Sequence, residues 1–215
     1  MMKTKVVCMG DSITEGFEIG PEENYPAKLQ KLLGDAYIVV NKGVCCSTVM
    51  NLELNGEVMA LPYVRQEKFK EALAEKGDIY IIMLGTNDAQ DGKDDVEEIT
   101  YEICNMIKHK DKFKEWYQYI IDSVREASPQ AKLYMGIPMP IQNCIWRKHR
   151  ESYLQELIPY MEEILDENPD IVKIDIHKVF ADMGEEAKAL YLGDNLHPNP
   201  CGTELIAKTV YEKIS

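Results

Sequence analysis

An apolar run passes directly into a glycine-bounded polar turn in the segment Lys5–Gly16, KVVCMGDSITEG. Its first part, Lys5–Met9, has the length of a β-strand, and its nearly continuous apolar character is typical of a strand that is covered on both faces. Gly10 and Gly16 bracket the turn that carries Ser12, and glycine permits tight turns and a close backbone approach. The segment therefore predicts a buried strand with a polar loop at its carboxyl end.

Four more apolar runs of strand length follow, and most of them are rich in Val and Ile. They are Tyr37–Val40, Ile79–Leu84, Leu133–Ile137 and Ile171–Ile176. Amphipathic stretches with helical periodicity lie between the runs, at residues 24–33, 69–74, 96–107, 113–124, 153–165 and 199–214. This alternation predicts a parallel sheet with helices on both faces, which is a three-layer α/β/α sandwich. No repeat or Pro/Gly/Ser-rich linker interrupts it, so we expect one domain over residues 1–215.

The acidic composition limits the expected partners and location. Of the 215 residues, 45% are hydrophobic and 28% are charged, and the formal net charge is −13. Such a charge disfavours contact with nucleic acid or an anionic membrane, and we expect neither as a partner. No apolar run is long enough to cross a bilayer, and Val6–Met9 is too short for the apolar region of a signal peptide. We therefore expect a cytoplasmic protein, in which cysteines are kept reduced. No grouping of Cys or His residues in the sequence has the spacing of a zinc site.

Polar clusters occur where parallel α/β sheets bind their ligands, outside the carboxyl ends of the strands. The clusters are Gly10–Gly16, Asn41–Thr48, Gly85–Asp88 and Asp194–Asn199. Each cluster alone is compatible with an ordinary turn or a helix cap. Because the carboxyl ends of parallel strands meet at one edge of the sheet, the four clusters together predict a single site.

The residue types in these clusters are those of nucleophilic catalysis. A serine hydroxyl is a weak nucleophile until a base takes its proton, and histidine suits this task near neutral pH. The histidine needs a partner, usually a carboxylate, that fixes its tautomer and stabilises the imidazolium. Ser12, His197 and Asp194 could fill these roles, since one local turn brings Asp194 to His197. The backbone N–H groups of Ser12 and Gly43, with the amide of Asn87, could form an oxyanion hole.

These residues and their order resemble the SGNH hydrolases, also called the GDSL family of esterases and lipases, over nearly the whole chain. Ser12 matches the family's nucleophile, and Gly43 and Asn87 match its oxyanion donors. His197 matches the base, and Asp194 matches the base's partner three residues earlier. The resemblance implies a flavodoxin-like, five-stranded form of the sandwich and hydrolysis of an acyl ester through an acyl-serine intermediate. It also implies an open, shallow site without a metal or an organic cofactor.

Five further residues are candidates for contact with the substrate. Cys45 and Cys46 stand where the family often has a small Ser-Gly or Gly-Gly pair. This pair is interpreted as two small side chains tolerated in a loop, as a thiol lining the acyl pocket, or as a redox pair. Trp146 and Arg147 follow the fourth strand and could border the site. Asp11 flanks Ser12, and we expect it to fix the loop by accepting backbone N–H bonds.

Three other polar residues lie outside the proposed catalytic set. Asp88 is expected to fix its loop in the same way as Asp11. His149 belongs to a basic group at the start of the fifth helix, where it is either solvated or part of a cationic rim of the site. His177 is interpreted as structural.

The leading hypothesis is a serine esterase that removes short acyl groups, above all acetyl, from carbohydrates, and the carbohydrate part rests on the family resemblance alone. A lysophospholipase or thioesterase is the alternative within the family and would need a longer acyl groove. A flavodoxin-like protein that binds a phosphate in the Gly10–Gly16 loop is the alternative outside it. That alternative leaves Asn87, Asp194 and His197 unexplained. The expected partner of the enzyme is a small-molecule acyl ester, and the sequence leaves the oligomeric state open.

Overall fold

A parallel sheet of five strands forms the centre of the computed structural model, which describes residues 3–91, 105–145 and 149–215. The strands are β1 (Thr4–Gly10), β2 (Tyr37–Gly43), β3 (Ile79–Met83), β4 (Lys132–Ile137) and β5 (Val172–Asp175). Their order across the sheet is β2-β1-β3-β4-β5, and every pairing is parallel. This is the flavodoxin-like order, in which the strand order reverses beside β1.

Helices connect the strands and account for most of the remaining described residues. The α-helices are α1 (Ser12–Glu15), α2 (Tyr25–Leu33), α3 (Glu67–Ala74), α4 (Phe113–Ala127), α5 (Glu151–Glu167), α6 (Ile176–Asp182) and α7 (Pro200–Ile214). Short 3-10 helices cover Gly34–Ala36, Tyr63–Arg65, Met106–Lys112 and Gly184–Leu190. Two-residue strands pair Ser47–Thr48 with Leu61–Pro62 and Glu53–Leu54 with Glu57–Val58.

The two faces of the sheet carry separate apolar cores. Val7 and Met9 of β1 point into the core that α3, α4 and α5 cover. Val6 and Cys8 point into the core on the other face, beneath α1, α2, α6 and α7. All four side chains are fully buried, and burial of one large apolar side chain contributes about 1.5–3 kcal/mol. The three-layer α/β/α sandwich predicted from the sequence is therefore confirmed.

Asparagine caps fix the starts of two helices that flank the polar edge of the sheet. The Asn24 side chain accepts a hydrogen bond from the backbone N–H of Ala27 at 2.9 Å and begins α2. Asn199 accepts from the N–H groups of Cys201 and Gly202 at 2.9 and 3.1 Å and begins α7. Such caps are each worth about 1 kcal/mol. The second cap also sets the path of the chain just after His197.

Helices α2 and α7 pack against each other and join distant parts of the sequence. The Thr203 hydroxyl in α7 donates to the backbone oxygen of Glu23 at 2.6 Å, across 180 residues of chain. The Lys28 ammonium in α2 donates to the backbone oxygen of Pro200. The segment that carries His197 is thereby held against the segment that carries Ser12.

The sequence prediction differs from the structure in one connection. The apolar run Ile171–Ile176 predicts one strand, but β5 ends at Asp175 and Ile176 begins α6. The Asp175 carboxylate accepts from the backbone N–H of Lys178 at 2.9 Å, and this cap starts the helix. Most of the helix predicted over 96–107 lies outside the described residues. Within the described ranges, no helix has the length and apolar character needed to cross a membrane.

Candidate active site

Asp194, His197 and Ser12 form a continuous line of hydrogen bonds between side chains at the carboxyl edge of the sheet. The carboxylate of Asp194 can only accept, so His197 donates a hydrogen bond from Nδ1–H to Asp194 Oδ2 at 2.7 Å. His197 Nε2 is then the acceptor for the Ser12 hydroxyl at 2.8 Å. The three residues are 5–8% exposed. The structure therefore brings together the serine, histidine and aspartate that the sequence singled out.

The loop after β1 holds Ser12 at the first residue of α1. Asp11 caps this helix, because its Oδ1 accepts from the backbone N–H of Ile13 at 2.9 Å. A Cβ on Gly10 would lie 2.1 Å from the Thr14 hydroxyl oxygen, so only glycine fits there. Asp11 is 1% exposed and lies outside the cavity above Ser12. Its suggested contact with the substrate is therefore wrong, whereas its expected loop-fixing role is confirmed.

The turn that carries Asp194 and His197 is built around the aspartate. Asp194 Oδ1 accepts from the backbone N–H groups of Leu196 and His197 at 2.8 and 2.9 Å. Burial by itself would raise the pKa of Asp194, but the hydrogen bonds from His197 and Leu196 outweigh it and hold the pKa below its usual value. Asn195 adopts a positive φ of 60°, which asparagine tolerates better than most residues. The turn thus keeps Asp194 charged beside the imidazole.

Asn87 follows β3 and is held by three hydrogen bonds. Its Nδ2 donates to the backbone oxygen of Ser47 at 3.1 Å, and the Gln90 side chain donates to the backbone oxygen of Asn87 at 2.7 Å. Its Oδ1 lies 3.2 Å from Nε2 of His149. The amide is thereby anchored at both ends. Because an amide nitrogen carries two hydrogens, one N–H of Asn87 is left without an acceptor among the described residues.

Asp88 fixes the neighbouring loop, as expected. Its two carboxylate oxygens accept from the backbone N–H groups of Val49 and Met50 at 2.9 and 3.0 Å. Burial raises the pKa of Asp88 to about 7, and burial raises that of Asp11 to the same value. Both carboxyl groups are structural, since both are fully buried and bond to backbone N–H groups.

Gly43 does not offer its N–H group to the site, which corrects the assignment made from the sequence. Successive N–H groups alternate in direction along a strand, and the next one, on Val44, donates to the Gly10 oxygen of β1 at 3.0 Å. The Gly43 N–H points the other way and donates to the Asn41 side chain at 2.9 Å. A Cβ on Gly43 would lie 2.2 Å from the backbone nitrogen of Glu15. Gly43 is therefore needed for the close packing of β2 against α1.

Cys46 occupies the turn position that faces the site. Ser47 N–H donates to the Val44 oxygen at 3.2 Å, which closes a turn with Cys45 and Cys46 at its centre. Cys46 has φ +62°, a left-handed conformation that favours glycine at this place in a turn. Burial and then the nearby Glu15 carboxylate raise the pKa of Cys45 to about 12, which argues against a reactive thiol pair.

A cavity of about 410 Å³ opens above Ser12. Residues from several loops line it: Ser12, Phe17, Cys45, Cys46, Ala60, Leu61, Asn87, Gln90, His149, Leu196 and His197. Both cysteines thus reach the cavity, as one interpretation of the sequence held. The Phe17 ring packs on the His197 imidazole, with the ring centres 4.3 Å apart. Among the described residues, no group of three His, Cys, Asp or Glu side chains is placed to hold a metal ion.

His149 is 7% exposed and lies in the cavity wall, so of its two interpretations the solvated helix start is wrong and the place beside the site is supported. Sequence reasoning missed Phe17, Gln90 and the apolar lining residues Ala60, Leu61 and Leu196. Phe17 and Gln90 belong to no recognisable motif. The spacing of Gln90 three residues after Asn87 is the one local signal that could have suggested it. Trp146 and Arg147, the other residues expected at the border of the site, lie outside the described residues.

The chain belongs to the GDSL-like Lipase/Acylhydrolase family, whose model matches residues 8–205. The resemblance inferred from the four polar clusters is thereby confirmed.

Individual relatives agree with this placement. The acetylxylan esterase of Xylanibacter ruminicola is 30% identical over 214 residues, which cover 96% of this chain. They cover 42% of that relative, so the chain spans less than half of its length.

Solved structures share the fold at low sequence identity. The acetyl xylan esterase AlAXEase is 17% identical, with a TM-score of 0.73 over 98% of this chain and all of the other. A carbohydrate acetylesterase family member from Sinorhizobium meliloti is 17% identical, with a TM-score of 0.72 over 98% and 97% of the two chains. The lipase/acylhydrolase of Enterococcus faecalis is 20% identical, with a TM-score of 0.72 over 98% and 95%.

Proposed function

We propose that this chain hydrolyses acyl esters through a covalent acyl intermediate on Ser12. The observation that carries the proposal is the buried line of hydrogen bonds from Asp194 through His197 to the Ser12 hydroxyl. In this arrangement His197 can accept the serine proton while the charge of Asp194 stabilises the imidazolium.

Acylation begins when Ser12 Oγ attacks the ester carbonyl carbon and its proton moves to His197 Nε2. The tetrahedral intermediate collapses, the bond to the alcohol oxygen breaks, and His197 returns the proton to the leaving alcohol. A water molecule then attacks the acyl-serine and gives a proton to His197. In the collapse of the second intermediate the bond between the acyl carbon and Ser12 Oγ breaks, His197 returns its proton to Oγ, and the carboxylic acid leaves.

Three N–H groups are proposed to bind the oxyanion of both intermediates. The N–H of Ser12 lies in the first turn of α1, where a helix supplies no internal acceptor. One N–H of the Asn87 side-chain amide donates to the Ser47 backbone oxygen, and the second N–H is the proposed donor. The backbone N–H of Cys46 takes the place first assigned to Gly43, because Cys46 lines the cavity and Gly43 does not. Each such donor is worth on the order of 10²–10³ in kcat.

The proposed substrate is a short acyl ester, with an acetylated carbohydrate as the first candidate. Support comes from the acetylxylan esterase relative, which aligns along nearly this whole chain. The apolar side chains Ala60, Leu61 and Leu196 line the cavity and suit a small acyl group. The single-domain organisation over residues 1–215 and the cytoplasmic location remain predictions from the sequence.

A chain-length series of p-nitrophenyl esters tests the proposal. We expect hydrolysis of the acetate ester, slower hydrolysis of the butyrate and octanoate esters, and loss of activity in Ser12→Ala. Mass spectrometry of the quenched reaction should show one acetyl group on the peptide that contains Ser12. Absence of hydrolysis, or full activity of Ser12→Ala, contradicts the proposal. Rates that rise with chain length would favour a lysophospholipase or thioesterase, and acetate release from acetylated xylan would test the carbohydrate substrate.

A further inference from the structure

We propose that His149 is a positioning residue for the oxyanion hole, which it serves by holding the side-chain amide of Asn87. The proposal rests on the esterase function proposed above. His149 comes from the connection between β4 and α5, far in sequence from the residues of the hydrogen-bonded line.

The direction of the bond between His149 and Asn87 follows from a third group. The Ser47 backbone oxygen can only accept, so the atom of Asn87 that faces it at 3.1 Å is the amide nitrogen. The amide oxygen therefore faces His149 Nε2 at 3.2 Å, and Nε2 carries the donated hydrogen. His149 thus acts as a donor to Asn87.

Two hydrogen bonds, one at each end of the Asn87 side-chain amide, fix the orientation of this group. The bond to Ser47 alone would let the amide of Asn87 pivot about that contact. The bond from His149 to the amide oxygen fixes the plane of the group. Asn87 and His149 both line the cavity above Ser12, so in this proposal the remaining N–H of Asn87 faces that cavity.

The backbone around His149 is tied to the same loop. Residues Gln90 and His149 form an antiparallel bridge, and the N–H of Arg150 donates to the Ala89 oxygen at 3.3 Å. Gln90 also donates to the backbone oxygen of Asn87 at 2.7 Å. The position of His149 relative to Asn87 is therefore set by backbone pairing, and the residue is only 7% exposed.

A double-mutant cycle tests this role with p-nitrophenyl acetate. Asn87→Ala should lower kcat by about 10²-fold, as the loss of one oxyanion donor does. His149→Ala should lower kcat by about tenfold and leave KM within about twofold, because the amide loses its orientation and not its presence. In the double variant the two effects should not multiply, and kcat should equal that of Asn87→Ala alone.

Matched variants separate hydrogen bonding from packing. His149→Gln keeps an N–H donor and should restore most of kcat, whereas His149→Leu keeps volume without a donor and should resemble His149→Ala. His109→Ala, a histidine outside the cavity, should leave both kcat and KM unchanged. Thermal unfolding of each variant shows whether it is folded.

Three outcomes would overturn the role of His149. These are multiplicative effects in the double variant, a rise in KM at constant kcat, and equal kcat for His149→Gln and His149→Leu.

A measurement without a substrate distinguishes failure of this proposal from failure of the proposed esterase function. In the ¹⁵N NMR spectrum, the Asn87 side-chain NH₂ signals should shift in His149→Leu and stay close to the parent in His149→Gln. Unshifted signals in His149→Leu would refute the proposal even in an active esterase, and the shift would support it in a protein that hydrolyses no tested ester.

Discussion

His197 and His149 both line the cavity above Ser12, but their hydrogen-bond partners differ in charge. His197 donates from Nδ1 to the carboxylate of Asp194, and its other nitrogen accepts from Ser12. His149 donates from Nε2 to the neutral amide of Asn87. A carboxylate stabilises a proton gained by the imidazole, whereas an amide oxygen does so far less. Two histidines in one cavity can therefore do different work, proton transfer in one case and orientation in the other.

Removal of the imidazole at position 197 should have the largest effect. We expect His197→Ala to lower kcat at least 10⁴-fold, since Ser12 then has no base. Initial rates with p-nitrophenyl acetate measure this loss, and thermal unfolding serves as the control for folding. A loss no larger than that of His149→Ala would erase the distinction between the two histidines.

Neutralising the partner of His197 should have the next largest effect. Asp194→Asn keeps an oxygen for the N–H groups of Leu196 and His197 but presents an amide to the imidazole. The imidazole would then carry its proton on Nε2, which faces Ser12, and we expect kcat to fall by roughly 10³–10⁴-fold. Steady-state kinetics would check this, and a loss below about tenfold would show that the charge of Asp194 matters little.

The ring of Phe17 distinguishes the two histidines in a milder way. It packs on His197 at 4.3 Å between ring centres, and such contacts are worth about 0.5–1.5 kcal/mol. Phe17→Ala should therefore lower kcat/KM by roughly threefold to tenfold, because the imidazole becomes less well held. Phe17→Leu, which keeps apolar volume, should lose less. Equal losses in both variants would assign the effect to the aromatic ring itself.

The buried carboxyl groups of Asp11 and Asp194 differ in how they make the stability of the protein depend on pH. Burial raises the pKa of Asp11 from 3.8 in the unfolded chain to about 7 in the folded protein, so the protonated carboxyl group favours the folded state. This stabilisation is complete below pH 3.8 and is lost as the pH rises through about 7. The pKa of Asp194 is lowered, so its contribution is present above 3.8 and is lost as the pH falls through the native pKa.

Asp11→Asn should therefore flatten the fall in the free energy of unfolding between about pH 4 and pH 7. Urea unfolding at a series of pH values measures this slope, and Asp194→Asn serves as the comparison because it should act below pH 4. An unchanged slope in Asp11→Asn would mean that this buried carboxyl group is ionised throughout the range.

The sequence predicted what depends on local pattern and on the rule for strand ends. The five strands and the meeting of Ser12, Asp194 and His197 follow from these two sources. The direction of the Gly43 N–H was missed, because it depends on which side of β2 pairs with β1.

The burial of His149 against Asn87 could not be predicted, for another reason. Its burial results from backbone pairing with the loop after β3, about sixty residues away in sequence, and no local motif records such a contact. The start of α6 was missed because the apolar run continues across the strand end, and only the cap by Asp175 separates the two elements.

The docking of α7 against α2 links the chemistry to the time course of folding. Ser12 and His197 lie 185 residues apart, and closing so long a loop is entropically costly. During synthesis, Ser12 emerges before His197, so the proposed nucleophile lacks its proposed base until residue 197 has been made and packed. Hydrolysis of a chromogenic ester would therefore report completion of the native topology, and partly folded chains would be silent in that assay.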